Sequence, residues 1–141
     1  MTSEPLFDHA GLEIIGPEEC RRILDQATVG RIAFIDAGEP TILPITIGMW
    51  AGSIVFTTGP GSKLSAAIMN RPVAVEVDEW DGEARTGWSV LVKGTAFTVD
   101  DGREIDSLDR LSVRSWVKPD APKAWVKILA TEVTGRRISG E

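Results

Sequence analysis

Phe56-Thr57-Thr58-Gly59-Pro60-Gly61-Ser62-Lys63-Leu64 is the stretch around which the rest of the chain is organised. A β-run over 53–58 (SIVFTT) ends in a Gly-Pro-Gly turn, and the turn delivers Ser62 and Lys63 to a short helical segment over 64–69. Such a junction suits an anion, because the unpaired N–H groups and the dipole of a helix start both favour negative charge. Ser62 can cap the helix or donate its hydroxyl, Lys63 adds a full charge, and the Thr57 and Thr58 hydroxyls sit just upstream. The spacing is neither that of a Walker A loop nor that of a dinucleotide-binding glycine fingerprint. The plainer reading is a tight turn, a capping serine and a solvated lysine.

Working outward, 29–36 (VGRIAFID) and 41–50 (TILPITIGMW) read as strands that meet at a turn over 37–40. Pro44, inside the second strand, removes a ladder donor and so belongs on an edge or at a bulge. Ala51-Gly52 is a hairpin turn into the central strand. Downstream, 73–79 (VAVEVDE) alternates, with Val73, Val75 and Val77 on one face and Glu76 and Asp78 on the other. A long strand over 86–99 contains Gly94, where a bulge would let a barrel bend. A polar helix over 100–112, a proline-interrupted connector over 116–122 and a last strand over 124–133 follow. Upstream, Pro17 opens a helix whose apolar stripe is Cys20, Ile23, Leu24 and Ala27. Residues 1–11 read as a flexible arm, and 12–141 as one domain. Six strands joined mostly by short turns predict a mainly β protein, a small antiparallel barrel with short helices.

The 141 residues suit one domain with a real core. A net charge of −6 argues against general nucleic-acid binding and against a polybasic membrane anchor. No apolar run reaches the length of a membrane span, and Met1 to Pro5 lack the features of a secretory signal. Cys20 has no partner for an internal disulfide, so a cytoplasmic setting is expected. His9 is the one histidine and sits near the N-terminus, which removes most histidine-based catalytic and metal schemes, and no metal site is expected. Redox chemistry would require a borrowed cofactor.

Several pieces then coincide in order. These are V-G-R-I-A-F, L-P-I-T-I, V-F-T-T-G-x-G-S-K-L, V-x-V-E-V-D, G-W-S-V-L-V-K-G-T-A and, late in the chain, W-V-K-I before V-T-G-R-R-I. Over roughly residues 12–138 the chain resembles the pyridoxamine 5′-phosphate oxidase-like family of flavin-binding split barrels, in particular its small actinobacterial-type members. The resemblance implies a homodimer of six-stranded split barrels with FMN at the dimer interface. It sets Pro44, Ile45 and Thr46 beside the isoalloxazine ring, and Thr57 and Thr58 near the ribityl-phosphate. Ser62 and Lys63 match the phosphate-holding pair, and Trp88 and Ser89 the stretch where a neighbouring strand meets the flavin. Trp116 resembles an aromatic supplied by the second subunit, with Trp125 or Lys127 near another partner position.

The implied activity is hydride transfer from a nicotinamide donor, through the flavin, to a small-molecule electron acceptor. The alternative is a non-catalytic module that holds a flavin, a deazaflavin or heme. No catalytic acid stands out. The longer oxidases carry more basic residues for the substrate phosphate, so oxidation of pyridoxamine phosphate itself is not expected. Arg136 and Arg137 either meet an anion or are spent in surface ion pairs.

Overall fold

The computed structural model describes residues 4–111, 113, 118 and 120–139. The elements in chain order are β1 (Leu6–Phe7), β2 (Glu13–Ile15), α1 (Pro17–Gln26), β3 (Val29–Asp36), β4 (Glu39–Thr46), β5 (Gly48–Trp50) and β6 (Ser53–Thr58). There follow α2 (Lys63–Ile68), β7 (Pro72–Asp81), β8 (Thr86–Thr98), α3 (Gly102–Asp109) and β9 (Ala124–Ile138).

All named strand pairings are antiparallel, and they close a ring. β3 pairs with β4 on one side and β7 on the other, β7 with β8, β8 with β9, β9 with β6, and β6 with β5. β4 and β5 are two halves of one bent strand, interrupted only at Ile47, whose N–H donates to the Thr28 carbonyl at 3.0 Å. The ring therefore has the six strands expected from the sequence. The count of nine arises because this strand is broken and because β1 and β2 form an added N-terminal hairpin.

The hairpin turns follow from local chemistry. Ala37-Gly38 and Ala51-Gly52 are two-residue turns with all four residues at positive φ, the mirror-image turn whose twist matches that of the flanking strands. Pro44 lies on β4, which pairs with β3 alone, so its missing N–H costs no second ladder. The register between β8 and β9 slips between Lys93 and Gly94, which is the expected bulge. The core inside the barrel joins Ile32, Ile45, Ile47, Ile54, Phe56, Val75, Val90, Val92 and Ile128, with Cys20 and Leu24 of α1 closing one end. A second cluster on the outer side of β6 and β9 joins Val55, Val99 and Trp125 to Leu108 of α3.

Two segments differ from expectation. The last strand does not stop at residue 133 but runs to Ile138, because its end pairs with both β8 and β2. The stretch expected to be an arm carries, in its described part, β1 paired to β2, and Arg136 Nε holds Asp8 at 3.0 Å. An alternation read from residue 12 onward cannot anticipate a two-residue strand whose Leu6 and Phe7 stay exposed.

At Gly94 an added Cβ would lie 2.3 Å from the Leu129 carbonyl oxygen, so the bulge has no room for a side chain. Gly94→Ala is expected to destabilise the fold by about 2–3 kcal/mol, the scale of an overpacked site. Urea denaturation checks this, and an unchanged midpoint would contradict it.

Candidate functional site

The bend at Ile47 makes the site. Through β5 the bent strand runs beside β6, and their ladder ends at Gly48 opposite Val55. Continued, that register would set Thr46 beside Thr57 and Ile45 beside Thr58, but β4 instead pairs with β3. The barrel wall is split there. One side of the split is the β4 edge at Pro44–Thr46, and the other is the end of β6, where Thr57 and Thr58 pair with Trp125 and Ala124 of β9. The Gly59-Pro60-Gly61 turn continues from that end, with Gly61 at positive φ.

Ser62 caps α2: its Oγ accepts the Ser65 N–H at 3.1 Å. That hydroxyl oxygen is thus committed to the helix, while its proton stays available to an acceptor. Lys63 is exposed and makes no ion pair among the described residues. Thr57 Oγ1 and Thr58 Oγ1 are both buried without a hydrogen-bond partner among the described residues. A buried unpaired hydroxyl costs about 1–3 kcal/mol, and two in succession at the split call for an explanation. Strand alternation sends them to opposite sides, Thr58 with Phe56 toward the interior and Thr57 with Val55 toward the α3 side.

The same alternation divides the other expected residues. Pro44 is exposed on the outer face, whereas Ile45 is buried and offers a ligand only its backbone. Trp88 points inward onto the core, and Ser89 outward beside Asp78 and Arg136. Trp88 pairs with Arg137 near the end of β9, while Thr57 pairs with Trp125 near its start. Along β9 the two rungs are twelve residues apart, so Trp88 and Ser89 lie away from the Thr57 side of the split, but Trp88 shares a cavity with Val29, the partner of Thr46, and so lies nearer the β4 edge. Trp116 lies outside the described residues.

Trp125 and Lys127 dock α3. Trp125 Nε1 donates to Asp109 Oδ1 at 2.7 Å, and Lys127 Nζ to Glu104 Oε1 at 2.8 Å. Arg136 and Arg137 are spent on ion pairs, Arg136 with Asp8, and Arg137 with Glu13 at 2.9 Å and with Glu19. The Arg137 guanidinium holds the Glu19 carboxyl below its usual range. Burial pushes the Cys20 thiol up, and Cys20 Sγ lies 3.6 Å from the Ile15 carbonyl, so it behaves as a core residue.

One cluster escaped the sequence reading. Arg31 Nη1 reaches both Glu76 Oε1 at 3.3 Å and Asp78 Oδ2 at 2.9 Å. Burial, then the hydrogen bond and charge of Asp78, push the Glu76 carboxyl up to about 7, against the pull of Arg31. The V-E-V-D alternation did place Glu76 and Asp78 on one face, but only the β3–β7 register reveals Arg31 opposite Glu76. Arg31 in turn pairs with Pro44, so the carboxyl lies two strands, about 10 Å, from the β4 edge of the split.

The sequence profile of the pyridoxamine 5′-phosphate oxidase family matches residues 16–137. The chain belongs to that family. An uncharacterized Mycobacterium tuberculosis protein, Rv0080, is a relative that is 34% identical over 126 residues, covering 86% of this chain and 82% of its own. Among solved structures, an FAD-binding protein from Mycobacterium smegmatis aligns with a TM-score of 0.77 at 34% identity, over 89% of this chain and 98% of its own. An FAD-binding protein from Mesorhizobium loti aligns with a TM-score of 0.74 at 29% identity, over 91% of this chain and 99% of its own. The family's antiparallel split-barrel fold is the fold seen here. Among the described residues no helix is long and apolar enough to cross a membrane.

Two outcomes are expected of the protein without ligand. Thr58→Val keeps the shape and removes an unpaired buried hydroxyl, so it should raise stability in urea by about 1 kcal/mol, and a loss would contradict the assignment. Glu76 binds its proton more tightly folded than unfolded, so stability should fall as pH rises from the usual carboxylate range through about 7. In Glu76→Gln that slope should flatten, and an unchanged slope would place the titration elsewhere.

Proposed function

We propose that this chain binds a flavin in the split between β4 and the end of β6. The observation that carries the reading is that the Thr57 and Thr58 hydroxyls, on the two sides of the strand end beside the Ser62-Lys63 turn, have no partner among the described residues, so that either side offers a ligand a free hydroxyl. A phosphate at this turn would gain the Lys63 charge, the Ser62 proton and a threonine hydroxyl. The exposed Pro44 and the Ile45 backbone would flank a flat ring. The two FAD-binding relatives favour FAD over the FMN expected from the sequence.

A second copy would complete the site. The outer face of β3 and β4 leaves Ile35 56% and Ile42 65% exposed, a patch that suits self-association. Ser89 sits opposite Asp78, on the β4 side of the split rather than beside Thr57, and a partner's β8 is a second route by which it would reach the cofactor. A bound flavin supplies hydride transfer between a nicotinamide donor and a small conjugated acceptor. The chain's own residues bind it, orient it and shield it from water.

Fluorescence-quenching titrations with FAD and FMN test this reading. Saturable quenching is expected with FAD, and Lys63→Ala should weaken it by about 1–3 kcal/mol, the scale of a charge-assisted hydrogen bond. Neither flavin binding, or equal affinity without Lys63, would overturn it.

A further inference from the structure

A second concavity lies between the C-terminal end of α1 and the strands β7 and β8. Its volume is about 320 Å³, at the lower end of small-molecule sites. Gln26 and Thr28 line one side, Asp78 and Glu79 another, and Trp88 forms a wall. Among the described residues no basic one lines it.

Five features converge on positive charge. α1 ends with no basic side chain in its last turn, which leaves the partial negative charge of ten aligned residues unanswered. Glu79 is exposed and has no ion pair among the described residues. The neighbouring arginines are committed elsewhere, Arg31 to Glu76 and Asp78, and Arg137 to Glu13 and Glu19. Trp88 is half-buried and packed on the core, a rigid aromatic wall of the kind that attracts cations. The Gln26 and Thr28 side chains also have no partner among the described residues and offer oxygen acceptors. A phosphate or carboxylate placed here would meet two carboxylates and a helix C-terminus.

We propose that this cavity binds a small organic ammonium ion, with the Glu79 carboxylate as counter-ion and Trp88 as its aromatic wall. None of the residues of the Ser62-Lys63 turn lines the site, although Val29 on its wall pairs with Thr46 of the β4 edge, and the proposal stands whether or not flavin binds at the turn.

The test uses the full-length protein labelled with ¹⁵N, titrated with benzylammonium chloride and separately with sodium benzoate at matched ionic strength. Benzylammonium should give saturable shifts at the Trp88 indole N–H and at the amides of 26–29 and 78–79. Benzoate should bind at least about tenfold more weakly, and Glu79→Gln should weaken benzylammonium roughly fivefold with the rest of the spectrum unchanged. The absence of saturable shifts with benzylammonium, an equal response to benzoate, or shifts that map elsewhere would overturn the proposal.

Discussion

One strand serving two neighbours is the constraint on which the rest depends. From Glu39 to Thr46 it pairs with β3, and from Gly48 to Trp50 with β6. It cannot do both at one point, so the wall parts at Ile47. The side chains of Ile45 and Ile47 anchor the bend from inside, at 5% and 4% exposure. The core therefore fixes where β4 parts from the β6 ladder, and the residues on either side inherit their positions from packing.

Charge is distributed to match. The arginines at the far end of the barrel are consumed in fastening the N-terminal hairpin and α1 to β9. Arg31 is shared by two carboxylates on the outer face. Lys63 is exposed at the turn and Lys123 is exposed just before Ala124, the partner of Thr58, while among the described residues the cavity beside Trp88 has acidic side chains and no basic one. The turn and the cavity beside Trp88 thus differ in the charge of their side chains within a small, net-acidic protein.

Much of this was legible in the sequence. Alternation in 73–79, the proline at 44, the glycine at 94 and the two Ala-Gly turns gave the strands, the edge, the bulge and the hairpins, because each is a local steric rule. The cap at Ser62 was equally local. What escaped reading depends on register between distant segments. Arg31 meets Glu76 across 45 residues, and Arg137 meets Glu19 across 118. Trp88 and Ser89 are adjacent in sequence, yet strand geometry turns them to opposite faces, and their nearness to the β4 edge rather than to Thr57 comes from the β3–β7–β8 register. Trp125 and Lys127 looked available for a partner, but α3 folds back to occupy them, a docking that periodicity alone does not report.

The most direct measurement is an amide NMR map of the ¹⁵N-labelled protein as FAD is added. Shifts that saturate together at 44–46 and 57–63, on both sides of the split, are the predicted result. FAD binding that leaves those residues unmoved, or the absence of any saturable shift, would contradict the account.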